Sequence, residues 1–383
     1  MVLCKMAHKV ELAKRWMAAS LRDDAVPHPK SGDCTELLYT YSKFVCEHRH
    51  VVYHAELLEV EGRAQGKFKW VGAVESEGRC IFAPNDAGDI AVWTGNGSGF
   101  DFLSTGLASG DRLFRWSGVG LFEGTAYCFP RSSNEILSYN VGGKGVRLLP
   151  LGTAYEGEHH YGGVISSAGI IYQPPRDEDH ILTYDIKSGV VGEIRLVPRW
   201  LHAKLRYSGS VLHPNGLIYF LPERDDKVVV LDPASGEVWR IGDTISPMVF
   251  GAAIAPNGHI YGFPSDATGI LHIDPDAEVV EMIHLEIGHM GCYASKPGID
   301  GWLYGIPGDG DRMLRFDPIE DRVEEVDLSI EAGIRAKWAG GTVLRSGDIV
   351  CPPSGGNNLL HLIPSEKVNI PTPLFESVFS DCY

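Results

Sequence analysis

The sequence predicts an all-β fold, a ring of seven four-stranded antiparallel sheets preceded by a short N-terminal helical extension, and three observations carry that prediction. The first is a repeat: seven segments share the pattern aromatic, small, small, apolar strand, tight turn, apolar-aromatic strand, proline, as in WVGAVESEGRCIFAP ending at Pro84 and FGAAIAPNGHIYGFP ending at Pro264. Their closing prolines, Pro84, Pro130, Pro174, Pro222, Pro264, Pro307 and Pro352, recur at intervals of 42 to 48 residues. The second is the residue opening each copy, which is always aromatic: Trp70, Trp116, Tyr161, Tyr207, Phe250, Tyr293 and Trp338. The third lies two positions further on, where Gly72, Gly118, Gly163, Gly209, Ala252, Ser295 and Gly340 exclude any large side chain. That is the mark of a crowded backbone.

Taken in order, the chain opens with an extension over residues 1–49. Leu3, Met6, Val10, Ala13 and Met17 fall at helical spacing beside Lys5, Lys9, Lys14 and Arg15. This stretch reads as an amphipathic docking helix packed on the body, with an organelle transit peptide as the alternative. Next comes HVVYHAELLEV (residues 50–60), a strand lying where a fourth strand precedes every later unit, so it should complete the seventh sheet and close the ring. Within each repeat two strands lead to the proline; a polar turn such as ERDDK or GDGDR follows, then a third strand ending in Asp-Pro at Asp232, Asp274 and Asp317, then a fourth. Asp bonds the turn backbone and Pro presets the next φ. A four-stranded unit of about 45 residues matches a β-propeller blade. The propeller is assigned to residues 50–370 and a C-terminal tail to 371–383.

Composition bounds the rest. The 383 residues carry 34 Lys+Arg against 50 Asp+Glu, a formal charge of −16, which argues against nucleic acid or an anionic membrane surface as partner. No apolar run approaches the roughly 18 residues of a membrane span. The 8 cysteines form no Cys-x-x-Cys pair, and Cys80, Cys128 and Cys351 sit in apolar strands, so they read as small buried hydrophobes. Neither metal nor cofactor is expected, and the expected compartment is the cytoplasm.

On the period, the opening aromatic and glycine, the Ile-Tyr strand, and turns such as Asp232-Pro-Ala-Ser-Gly-Glu237, the chain resembles seven-bladed propellers of kelch-like and virginiamycin-B-lyase-like repeats over roughly residues 66–365. Proline stands where kelch units carry a glycine pair, and the WD dipeptide of the WD40 class is absent. The resemblance implies architecture; a histidine acting as general acid or base is what the lyase side of it would imply.

In such a ring the fourth-to-first and second-to-third loops surround one mouth of the axial channel. The residue before each opening aromatic should stand there: Lys69, Arg115, His160, Arg206, Val249, Cys292 and Lys337, with Lys67, Lys204, Arg335, His159 and His289 close by. One reading is a cationic funnel for an anionic ligand, with Lys69, Arg115, His160, Lys204, Arg206, Arg335 and Lys337 as binding residues. The other is that these cations pair with the acidic second-to-third loops, among them Asp177, Glu178, Asp179, Glu223, Asp225 and Asp309. Those acidic loops read as turn formers, not calcium ligands, because their spacing varies between blades. His160, His202 and His289, near Glu158, Lys204 and Glu286, are the candidate acid-base residues, whereas His213, His259 and His272 read as structural. No nucleophile elbow, P-loop, Rossmann glycine set or His-Glu-x-x-His is present. The leading expectation is a non-catalytic binding or scaffold propeller with a protein partner; the alternative is a lyase or hydrolase acting on a small anionic substrate at the mouth.

Overall fold

The computed structural model describes residues 34–60, 68–95, 99–108, 114–143, 145–197, 206–245, 248–265, 269–285, 291–328 and 334–379. Seven four-stranded antiparallel sheets form the ring, six of them built from consecutive strands. Blades 1 to 6 span residues 70–104, 116–150, 164–195, 207–241, 249–284 and 292–327. Blade 7 takes three strands from residues 342–364 and its outer strand from Tyr53–Glu59, which pairs with Asn358–Pro364 from Tyr53 opposite Pro364 to Glu59 opposite Asn358. The ring closes as the sequence predicts.

The repeated residues have identifiable work. The inner strands of blades 1, 2, 4, 5 and 6 shift register at or just after the opening aromatic. Gly72 sits in such a bulge at φ +75°, where a side chain would be strained. A Cβ on Gly72 would stand 2.9 Å from Gly118 Cα, and one on Gly340 would stand 2.5 Å from Gly72 Cα. Backbones of blades 7, 1 and 2 therefore touch, and the Gly72 N–H donates to the Ala339 carbonyl at 2.8 Å.

Six of the seven opening aromatics divide into two groups, and Tyr207 is buried between the sheets of blades 3 and 4. Trp70, Trp116 and Trp338 lie back in their blades, and each indole N–H donates to the carbonyl opening the third strand: Asp89 at 2.9 Å, Glu135 at 2.9 Å and Asn358 at 2.7 Å. Tyr161, Phe250 and Tyr293 instead pack together with Val71 and Ala339. Ring centroids are 5.9 Å apart for Tyr161–Phe250 and 5.3 Å for Phe250–Tyr293. These side chains meet across the axis and give the mouth an apolar floor.

A helix, α1 (Cys34–His48), packs on the opposite face; the sequence reading did not single it out, and the amphipathic stretch Leu3–Met17 that it did choose lies outside the described residues. Tyr41, Phe44 and Val45 bury its apolar side, with Tyr41 and Phe44 against Phe379. Ser42 Oγ donates to the Pro256 carbonyl at 2.8 Å, and Arg49 pairs with Asp317 at 2.6 Å. Among the described residues no helix is long and apolar enough to cross a membrane.

Candidate functional site

The mouth is framed by a repeated backbone belt. At four junctions the N–H of the residue before the inner strand donates to a carbonyl one or two positions after the previous blade's closing proline: Arg115 to Asn85 at 3.2 Å, Arg206 to Arg176 at 3.0 Å, Lys337 to Gly308 at 2.9 Å and, across the closure, Lys69 to Ser354 at 3.1 Å. In blade 3 the donor is His159, to Arg131 at 2.9 Å. The register derived from the aromatics thus places Lys69, Arg115, Arg206 and Lys337 at inter-blade seams around the mouth.

Their side chains turn into those seams. Lys69, 1% exposed, donates to Asn357 Oδ1 at 3.2 Å. Arg115 Nη2 donates to the Ala108 carbonyl at 2.6 Å. Lys337, 2% exposed, donates to the carbonyls of Asp309 and Gly310 at 3.3 and 2.9 Å. Burial holds the ammonium pKa of both lysines down, opposed at Lys337 by Asp309 and Asp311. Arg206 is buried as well, its pKa lowered by desolvation against the pull of Tyr207 and of Asp177, Asp225 and Asp179. Arg335 is exposed and close enough to Tyr293 to act on its hydroxyl. His202, Lys204 and His289 lie outside the described residues.

His160 is 0% exposed. Its Nδ1 stands 3.0 Å from His159 Nδ1, and its Nε2 lies 3.3 Å from the His180 carbonyl; His159 Nε2 lies 2.9 Å from the Ser133 carbonyl. The Nδ1–Nδ1 contact needs one ring to donate and the other to accept, so the two imidazoles share a single hydrogen along that line. Burial first, then His159, His180 and Arg206, hold His160 well below the usual histidine range. It is a neutral ring sealed from solvent.

The side chains that do shape the mouth are two arginines that sequence reasoning missed. Arg131 Nε and Nη2 donate to Glu158 Oε2 at 3.0 and 2.6 Å. Arg176 Nε meets the same oxygen at 3.0 Å, and its Nη1 lies 2.9 Å from Glu223 Oε2. Both guanidiniums lie over the Tyr161 ring, at 4.7 and 4.8 Å from its centroid, and Arg131 also lies 4.2 Å from that of Phe114. Burial pushes Glu223 up to about 7 against the pull of Arg176, Arg131 and Arg224. The signal was present: Arg131 directly follows Pro130 and Arg176 follows Pro174-Pro175, so the register applied after each proline would have found them.

As for metals, Glu178, Asp179 and His180 are the one group among the described residues whose donor atoms fall within 4.8 Å of one another. Asp179 also takes Arg195 at 2.7 Å, and His180 Nε2 faces the Tyr155 hydroxyl at 3.3 Å. A mouth of tethered cations, stacked arginines and an aromatic floor presents recognition chemistry.

Fold and site together define a seven-bladed β-propeller closed by its own N-terminal strand. No family model and no curated protein matches the sequence. Among solved structures it is similar to a streptogramin B lyase, with TM-score 0.66, 15% identity, and coverage of 82% of this chain and 98% of that one. A selenomethionine-substituted virginiamycin B lyase from Staphylococcus aureus gives TM-score 0.67 at 14% identity over 81% and 99%. YCF48 bound to D1 peptide gives 0.59 at 11% over 81% and 95%. At such identities the likeness shows the fold, and it bears on the virginiamycin-B-lyase side of the resemblance, not on the kelch side.

Proposed function

We propose that this propeller is a non-catalytic binding module that takes a peptide segment of a protein partner, bearing an acidic side chain, at the mouth of the axial channel. The observation that carries the reading is the enclosure of His160, with both ring nitrogens turned to protein atoms, in a mouth where Lys69, Arg115 and Lys337 donate to main-chain carbonyls and an amide. Arg, Tyr and Phe are residue types enriched at protein interfaces, and here Arg131, Arg176, Tyr161 and Phe250 cluster at one end of the channel. Exposed Arg335 supplies a partner for a carboxylate. YCF48, of the same fold, is seen with a peptide. Lys69, Arg115, His160, Arg206 and Lys337 support the rim in this reading.

The competing reading, a lyase or hydrolase acting on a small anionic substrate, draws on the imidazole cluster of His159, His160 and His180 beside Arg206. It requires His160 to open to substrate. The test is a peptide-display selection on the full chain, followed by affinity measurement. Arg335→Glu should weaken selected acidic peptides about tenfold, near 1.4 kcal/mol, and Phe250→Ala with Tyr293→Ala should weaken them further with thermal midpoints retained. Peptides that bind both variants as tightly as the parent would reject the binding module.

A further inference from the structure

On the face opposite the mouth, beyond the aromatic floor, a cavity of about 960 Å³ opens where the inner strands of blades 1 to 5 end. Its apolar walls include Leu121, Ile165, Leu212 and Ile254, one from each of blades 2 to 5. The C-terminal turn (Phe375–Phe379) closes one side with Phe375 and Val378, held there by α1. A volume of this size suits a drug-sized organic molecule.

The charged groups are few and of uneven sign. Glu75, Glu77 and Glu376 line the cavity with a single guanidinium, that of Arg345. Arg345 lies 4.5 Å from the Phe375 ring centroid and donates to Thr372 Oγ1 at 3.1 Å, while its approaches to Glu75 and Glu376 are 4.0 and 3.9 Å. It spans the carboxylates at the outer limit of ion pairing and neutralises one charge of three. His213, also on the wall, adds none: its Nε2 faces the Gly258 carbonyl at 2.9 Å, and burial holds its pKa below the usual range. Glu75 is the buried member, 6% exposed, with one oxygen taking the Gly78 N–H at 2.8 Å and the other turned toward Arg345.

We propose that this cavity is a binding site for an amphipathic organic cation, its apolar body against the strand ends and its ammonium or amidinium head between Glu75 and Glu376. A low-dielectric wall strengthens a carboxylate–cation contact and penalises an anion in the same place. The site is separate from the mouth, because the packed rings of Tyr161, Phe250 and Tyr293 stand between them.

Calorimetric titration of the full chain with decylamine, decanoate and decanol tests the proposal. Decylamine should bind saturably at one site per chain, at least tenfold more tightly than decanoate. Glu75→Gln, which retains the acceptor for Gly78, should bring the two within about threefold while leaving decanol unchanged. Leu121→Trp, or Leu212→Trp should the first variant fail to fold, should intrude on the apolar wall and weaken binding of all three. Equal affinity for amine and carboxylate in the parent, or amine binding left unchanged by both the charge and the tryptophan substitution, would overturn it.

Discussion

Ring closure at the axis makes a quantitative claim about one hydrogen atom. Replacing it at Gly340 by a methyl group places a Cβ 2.5 Å from Gly72 Cα and 2.6 Å from Gly72 N, both of them backbone atoms that no rotamer change can move aside. Gly78 provides the control: its φ of +74° nearly equals the +80° of Gly340, yet nothing stands within 4 Å of its added Cβ. Left-handed backbone costs an alanine about 1–2 kcal/mol, and the stiffer unfolded chain returns about 0.4–1 kcal/mol. Gly78→Ala should therefore cost about 1 kcal/mol. Gly340→Ala carries the same terms plus overpacking of about 1–3 kcal/mol, for a total of about 2–4 kcal/mol. Urea denaturation followed by tryptophan fluorescence measures both, and the difference between them isolates the steric part. Costs within about 0.5 kcal/mol of each other would refute direct contact between the backbones of blades 7 and 1.

Three further outcomes are expected. Glu223, raised from 4.5 to about 7 chiefly by burial, favours folding in its protonated form, so that stability is complete below about pH 4.5 and is lost as pH rises through 7. Glu223→Gln should remove that slope, on the order of 3 kcal/mol across the window, and parallel pH profiles of parent and variant would contradict it. Lys337→Ala leaves the carbonyls of Asp309 and Gly310 without their ammonium donor and should cost about 1–3 kcal/mol in denaturation midpoint, a loss that Lys337→Met should share despite restoring the packing. The thiols of Cys80, Cys128, Cys292 and Cys351 are fully buried, and burial raises all four, to about 12 in Cys292 and Cys351. Mass spectrometry after maleimide treatment should find them modified only once the chain is unfolded.

The architecture was legible because its determinants are local and repeated. An aromatic, a small residue two positions on and a proline recur in every blade, and the inner strands are apolar enough to be buried on both faces while the outer strands alternate. Even closure could be read, since Tyr53–Glu59 occupies a fourth-strand position with no blade before it. Side-chain direction was not legible. Lys69 and Lys337 stand at the seams that the register assigned, but whether an ammonium faces a channel or a carbonyl depends on the neighbouring blade, whose acceptors lie 288 residues from Lys69 and 27 from Lys337. The division of the aromatics into three indoles lying back and three rings meeting at the axis is likewise set by partners in other strands. Helix α1 did carry a signal, with Leu37, Tyr41, Phe44 and Val45 at helical spacing, but the stronger amphipathic pattern upstream drew the reading away from it.

The pairing of Tyr53–Glu59 with Asn358–Pro364 sets an order on biosynthesis. The first of these strands leaves the ribosome while its partner is still about 300 residues from being made, a wait of about 15 to 60 s at ordinary elongation speeds. Through that interval the leading edge of the nascent chain has nothing to zip against. His54, Glu56 and Glu59, which face solvent in the finished ring, put polar and charged groups on this waiting ribbon, a composition that disfavours pairing with another chain.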